Sequence, residues 1–248
     1  MIALANKRAL VTGATGGLGK AIAAGLAAAG ARVALGYNRA GAEAEALAAT
    51  LPGNGHLPLC APVTDSAALS EAAGRIMAEF GGLDILVNCA GITRFCPHGD
   101  LEALDDAIIN DILAVNVRGV IACTRAMRPM LDATGRGVIV NISSIAARTA
   151  MGSNIAYCAS KAAVDNLTMS LARALAPKIR VLSVAPGLVD TEFVKALSQD
   201  WRDEQAARTP LGDLARPEHV ADAVVAAAGL LTYSTGTVIA VDGGRPLG

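Results

Sequence analysis

Residues 7–12, Lys7-Arg8-Ala9-Leu10-Val11-Thr12, form a short apolar run that reads as a buried strand. It leads directly into Gly13-Ala14-Thr15-Gly16-Gly17-Leu18-Gly19 and then an Ala-rich apolar stretch ending at Gly30. A strand that turns through glycines into a helix has few uses in a folded chain. Gly13 permits the sharp turn, Gly17 lets a pyrophosphate approach the backbone, and Gly19 allows the helix to pack closely on the strand. The unpaired N–H groups at the helix start then face an anion, which makes the turn a phosphate site. A glycine-rich loop without that role remains the alternative reading of the glycines alone.

The rest of the chain repeats this alternation. Strand-like runs recur near residues 32–37, 56–60, 84–88, 137–142, 179–185 and 237–241, separated by helix-like apolar stretches. The pattern predicts an α/β Rossmann fold, a doubly wound parallel sheet of about seven strands with helices on both faces. With 53% hydrophobic but only 3% aromatic residues, the core must be filled by Ala, Val, Leu and Ile, which suits strands buried on both sides. Residues 1–248 read as one domain, with no repeat or Pro/Ser-rich linker to divide them. A net charge of −1 without Lys/Arg clusters argues against a nucleic-acid surface. The first residues enter a strand without a charged and apolar leader, so a cytoplasmic protein with no membrane association is expected. The five cysteines contain no Cys-x-x-Cys pair and the three histidines lack ligand spacing, so neither a disulfide framework nor a metal is expected.

A second constellation lies past mid-chain. Tyr157 and Lys161 are four residues apart at the start of a long helix-like segment, with Ser144 thirteen residues upstream. Side chains at i and i+4 share a helical face, so the ammonium can lie beneath the phenol ring and favour phenolate. Acting near neutrality would require a phenol pKa of about 10 to fall by roughly 3 units, or about 4 kcal/mol of electrostatic help. Such a pair also arises on solvated helix faces, and Ser144 and Asn116 taken singly read as caps or turn residues.

Seven ordered segments together carry a resemblance: Thr12 to Gly19, Asn88-Cys89-Ala90-Gly91, Asn116, Ser144, Tyr157 with Lys161, Pro186-Gly187, and Val241-Asp242-Gly243-Gly244. In these the chain resembles the short-chain dehydrogenase/reductase family nearly end to end, and is most similar to bacterial 3-oxoacyl-acyl carrier protein reductases and related carbonyl reductases. The resemblance implies hydride transfer between a nicotinamide cofactor and a ketone or secondary alcohol. Tyr157 would be the proton donor, Ser144 would bond the carbonyl oxygen, Lys161 would acidify Tyr157 and hold the nicotinamide ribose, and Asn116 would hold a water linking Lys161 to solvent. It implies cofactor contacts from Gly13, Thr15, Gly16, Gly17, Leu18, Gly19, Val63, Asn88, Ala90, Gly91, Pro186, Gly187, Val189 and Thr191. It further implies a substrate lid around residues 192–216 and a homotetramer. Cys89 stands where the family usually has a second Asn, and Pro62 where it often has Asp.

Cofactor choice turns on the second strand end, Gly36-Tyr37-Asn38-Arg39. No carboxylate is there to bind the ribose hydroxyls of NAD, and Arg39, next to Asn38, suits a 2′-phosphate, so NADP is preferred with NAD possible. Gly16 stands where many NADP-using relatives carry an Arg. Arg94, His98, Arg148 and Asn154 flank the motifs and receive no assignment. The alternatives are an NAD-dependent alcohol or sugar dehydrogenase of the same fold and a non-catalytic dinucleotide-binding regulator. Sugar epimerases and dehydratases share the Tyr and Lys but need a larger carboxyl-terminal region.

Overall fold

The computed structural model describes residues 4–195 and 198–247. Seven strands form one sheet: β1 Arg8–Thr12, β2 Arg32–Tyr37, β3 Leu57–Cys60, β4 Ile85–Asn88, β5 Gly137–Ile142, β6 Ile179–Pro186 and β7 Val238–Val241. All neighbouring pairs are parallel, in the order β3-β2-β1-β4-β5-β6-β7. Each expected strand is present to within about a residue at its ends, as hydrophobic runs bounded by Gly, Pro and Asn allow. The order reverses between β1 and β4, and a crevice opens at their carboxyl ends.

The helices are α1 Gly17–Ala28, α2 Gly41–Thr50, α3 Ser66–Phe80, α4 Asp106–Leu113, α5 Gly119–Ala133, α6 Ala146–Thr149, α7 Ile155–Leu175, α8 Glu192–Lys195, α9 Gln199–Ala207 and α10 Pro217–Gly229. Residues Ala114–Arg118, between α4 and α5, form a π-helical turn. Alternate residues of β1 divide the core: Ala9 and Val11 pack with Ile22 and Leu26 of α1 and Val220 and Val224 of α10. Leu10 packs instead with Leu69 and Ile76 of α3 and Cys123 and Met127 of α5. Period-two strands and one-sided helices thus produce two apolar layers around the sheet. The continuous stretch Asp106–Ala133 is long and apolar enough to cross a bilayer, but its Ile112, Val120, Cys123, Met127 and Leu131 are buried in the fold.

The expected lid falls on α8, α9 and the segment leading to α10, except that residues 196 and 197 lie outside the described residues. Arg202 of α9 pairs with Asp190 at 3.0 Å. Arg245 donates to the Gln205 carbonyl at 2.8 Å, tying the other end of α9 to the carboxyl-terminal segment. All five cysteines are free thiols, and Cys60 at the end of edge strand β3 is exposed rather than a core residue.

Asp84, just before β4, accepts from the Arg8 backbone N–H at 3.0 Å and the Arg8 guanidinium at 2.7 Å, with Lys7 3.6 Å away. Burial pushes its carboxyl up, but the Arg8 hydrogen bonds and the two cations outweigh this and hold it below its ordinary value. A depressed carboxyl contributes stability that is present above its unfolded pKa and lost as pH falls through the folded one. Asp84→Asn is therefore expected to lower the melting temperature at neutral pH, and the gap from wild type is expected to close as pH is taken below 3.8 in a thermal scan series.

Candidate active site

The turn after β1 closes because Gly13 adopts φ +66°, and a Cβ there would lie 2.9 Å from the Ala90 Cα. At Gly19 a Cβ would meet the Gly13 carbonyl oxygen at 2.1 Å, so both positions exclude any side chain. Thr12 Oγ accepts from the Cys89 and Ala90 N–H groups at 3.0 and 3.1 Å, fastening the end of β1 to the exit of β4. No side chain caps α1, whose first-turn N–H groups are left for an anion.

A cleft of about 960 Å³ runs along this edge. Of the expected cofactor contacts, Gly13, Thr15, Gly16, Gly17, Leu18, Gly19, Asn38, Arg39, Val63, Ala90, Gly91 and Thr191 line it. Tyr37, Ile92, Thr93 and Lys20 line it as well. These four carried no motif; their position after a strand or in the glycine-turn helix was the available signal. Gly119 makes room for Val63, since a Cβ at 119 would approach Val63 Cγ2 to 2.8 Å. The Arg39 side chain is exposed and has no carboxylate partner among the described residues.

Six of the expected cofactor contacts do not line the cleft: Asn88, Tyr157, Lys161, Pro186, Gly187 and Val189. Asn88 is buried, donating to Asn141 Oδ1 at 2.9 Å, and Asn141 donates to Thr168 of α7 at 2.9 Å. Asn88 thus couples β4, β5 and α7, and its own Oδ1 has no partner among the described residues. Pro186, Gly187 and Val189 lie behind, at the end of β6. The Pro186 carbonyl accepts from Ile145 N–H, and Gly187 N–H donates to Val241 at 2.9 Å. A Cβ at Gly187 would lie 2.9 Å from the Asp242 Cα, which explains the Val241 to Gly244 motif as a backbone pad under that turn.

None of the four expected catalytic residues lines the cleft itself: Asn116 and Lys161 lie against its Gly91, Tyr157 lies beside Lys161, and Ser144 is in hydrogen-bond contact with Tyr157. Asn116 sits in the π-helical turn, fully buried, where Oδ1 accepts from Ile92 N–H at 2.9 Å. Its amide donates to the Ile92 carbonyl and to Ser160 Oγ, each at 3.0 Å, and Ser160 in turn donates to the Tyr157 carbonyl at 2.7 Å. The Lys161 ammonium donates to the Ile142 carbonyl at 2.8 Å and lies 5.7 Å from the Tyr157 ring centroid. A Cβ on Gly91 would be 3.5 Å from Asn116 Oδ1 and 3.6 Å from Lys161 Nζ, so the cleft floor touches both. Ser144 follows β5, its hydroxyl accepting from Ala146 N–H at 3.1 Å. Of the unassigned residues, Asn154 caps α7 and is fully buried, while Arg94 and Arg148 are exposed.

The electrostatics depart from expectation at Tyr157. Burial pushes the phenol up, the Ser144 hydroxyl draws it down, and the neighbouring Cys158 thiol adds a smaller upward push, leaving it above its ordinary value. The Lys161 ammonium is not among the groups that shift this phenol; its hydrogen bond goes to the Ile142 carbonyl. Burial lowers Lys161 itself to about 8, against opposing pulls from Cys89 and Asp165.

A short chain dehydrogenase family model matches residues 7–202. The chain belongs to the short-chain dehydrogenase family. It is 41% identical over 244 residues to a cis-4-hydroxycyclohexanecarboxylate dehydrogenase of Sinomonas cyclohexanicum, covering 98% of this chain and 97% of that one. It is 38% identical over 241 residues to the 3-oxoacyl-acyl-carrier-protein reductase of Escherichia coli, covering 96% and 97%. Among solved structures, a gluconate 5-dehydrogenase from Burkholderia cenocepacia in complex with NADP and tartrate superposes with a TM-score of 0.90 at 30% identity, over 100% of this chain and 98% of that one. The chain is accordingly an NAD(P)-dependent oxidoreductase of this family, acting on alcohols and ketones. The uncapped helix start and the side-chain-free turn at Gly13 and Gly19 fit a dinucleotide diphosphate.

Between about pH 8 and the unfolded lysine value of 10.5, the unfolded chain binds more protons at Lys161 than the folded one, so stability rises with pH there. Below that window the buried ammonium opposes folding by on the order of 3 kcal/mol. Without cofactor, Lys161→Met is expected to be the more stable protein at neutral pH in denaturant titration, its advantage shrinking as pH climbs from about 8 to 10.5.

Proposed function

We propose that this enzyme is an NADP-preferring reductase of a ketone, with 3-oxoacyl thioesters or related carbonyl compounds as substrates. The observation that carries the reading is the continuous chain of contacts from Gly91 of the cleft to Asn116 and Lys161, and from Lys161 to Tyr157 and its hydrogen-bond partner Ser144. When bound, the dinucleotide supplies the hydride. Tyr157, raised above its ordinary value, is protonated at neutral pH and is therefore set to give its proton to a carbonyl oxygen. The Ser144 hydroxyl bonds that same oxygen as charge develops on it. Lys161 holds the nicotinamide ribose, and Asn116 keeps the Ile92 segment in place while its Oδ1 retains a lone pair for a water that resupplies protons.

Asn38 and the unpartnered Arg39 form the 2′-phosphate end of the cleft, with Val63 against the adenine. Asn88, Pro186, Gly187 and Val189 act on the cofactor indirectly, by supporting the strand ends, while Thr191 touches it. The lid is α8, α9 and the segment up to residue 216, held at Asp190 and Arg245. Partly exposed Leu113 and Ile121, on the α4 to α5 side, support assembly into a homotetramer. Five free thiols support a reducing, cytoplasmic location. A dehydrogenase of a cyclic or sugar alcohol is the second reading, favoured by the 41% identity to the hydroxycyclohexanecarboxylate enzyme.

Turnover of NADPH with a ketone panel that includes acetoacetyl thioesters and cyclic keto acids is expected to favour the thioesters. Tyr157→Phe is expected to lower kcat by at least about a hundredfold; undiminished turnover in that variant removes Tyr157 as the donor. In fluorescence titrations, Arg39→Ala is expected to weaken NADPH about tenfold and leave NADH unchanged; equal losses for both dinucleotides would contradict the NADP assignment.

A further inference from the structure

Loop 92–98, which leaves β4 and lines the cleft with Ile92 and Thr93, is strapped to the segment just before α7. Thr93 Oγ meets Ser153 Oγ, Cys96 N–H donates to the Ser153 carbonyl at 2.9 Å, and the His98 ring N–H donates to the Gly152 carbonyl at 3.1 Å. These straps join loop to loop. Asn154 differs from them: it is fully buried, and its amide has one end in each structure. Its Oδ1 accepts from the Tyr157 N–H at 2.7 Å, and its Nδ2 donates to the Arg94 carbonyl at 2.6 Å.

The two ends matter because of what each touches next. Ile92 and Thr93 line the cleft, and Ile92 is held on its other side by both polar atoms of Asn116. The wall is thus clamped between two buried asparagines, Asn116 in the π-helical turn and Asn154 at the start of α7. Through Asn154 the backbone of Tyr157 is fixed to the same wall that the nicotinamide end of the cleft rests on. We propose that Asn154 is a positioning residue for the reaction, one amide that sets the phenol of Tyr157 relative to the cleft wall at Arg94. This rests on the reading of Tyr157 as proton donor. An ordinary helix cap needs only the acceptor, supplied as well by Ser or Asp. Here a donor is also used, on a carbonyl outside the helix, and only Asn offers both at this length. Proton transfer is steeply sensitive to such placement, and displacements near 1 Å cost orders of magnitude.

The test separates cap from clamp. Asn154→Ser keeps an acceptor for the Tyr157 N–H but cannot reach the Arg94 carbonyl, and Asn154→Ala loses both. In Asn154→Ser, kcat with NADPH and the best ketone is expected to fall about tenfold while the NADPH Kd stays within about twofold and the melting temperature stays close to wild type. Asn154→Ala is expected to lose the same kcat and some stability besides. A second measurement does not depend on turnover: ultraviolet titration of the Tyr157 phenol, isolated by subtracting the Tyr157→Phe trace, is expected to move upward in Asn154→Ser as the phenol drifts from Ser144. If kcat and the phenol titration in Asn154→Ser both match wild type, Asn154 is a cap only and the proposal falls. If the wild-type protein reduces no carbonyl but the phenol titration shifts, the functional reading fails while the positioning stands.

Discussion

The close approach of two chain segments, one leaving β1 and one leaving β4, is the constraint on which the rest of this structure depends. Gly13 and Ala90 meet where a single methyl group would collide with backbone, and the Thr12 hydroxyl ties the two exits together. That contact places the α1 amino terminus and Gly91 along the same edge of the sheet. From Gly91 the path continues within ordinary contact distance to Asn116 and Lys161. The glycine turn and the Tyr157–Lys161 pair, nearly 150 residues apart in sequence, are thereby brought to the same edge of the sheet, with Gly91 of the cleft against Lys161.

At Lys161, the fold spends stability on charge. A fully buried ammonium whose hydrogen bond in the structure goes to the Ile142 carbonyl is a poor bargain for folding alone, and its pKa near 8 records the desolvation. The same burial raises the Tyr157 phenol, so both groups are displaced toward their neutral forms. Buried groups displaced toward their neutral forms cluster at functional sites, and structural ion pairs such as Arg8 with Asp84 behave in the opposite way.

Much of this was legible before any coordinates. The period-two apolar runs predicted the strands because parallel strands buried on both faces leave a plain hydrophobic signature, and Gly13 and Gly19 were readable because steric exclusion of a side chain admits one residue type. Residues reached through long-range packing were not legible. Nothing local distinguishes Asn88, which binds Asn141 in the next strand, from an asparagine that faces a ligand. The Val241 to Gly244 motif made sense only once Gly187 was found pressed on Asp242, and the π-helical turn at Asn116 leaves no periodicity over five residues. The hydrogen bond of the Lys161 ammonium to the Ile142 carbonyl depends on where β5 ends, which no i, i+4 argument contains.

The same distinction separates reaction type from substrate. Hydride and proton transfer need a few groups whose identities are fixed by chemistry, so they survive as motifs on rigid strand ends and helix starts. Substrate shape carries no such fixed set of groups, and α8, α9 and loop 92–98 carry no motif of their own. Those segments are nevertheless anchored by specific contacts: Arg202 to Asp190 beside Thr191, Arg245 to the far end of α9, and Asn154 to the wall at Arg94. The chain is correspondingly at similar identity to a 3-oxoacyl-acyl-carrier-protein reductase and to a cis-4-hydroxycyclohexanecarboxylate dehydrogenase, as expected where one fold hosts several substrates.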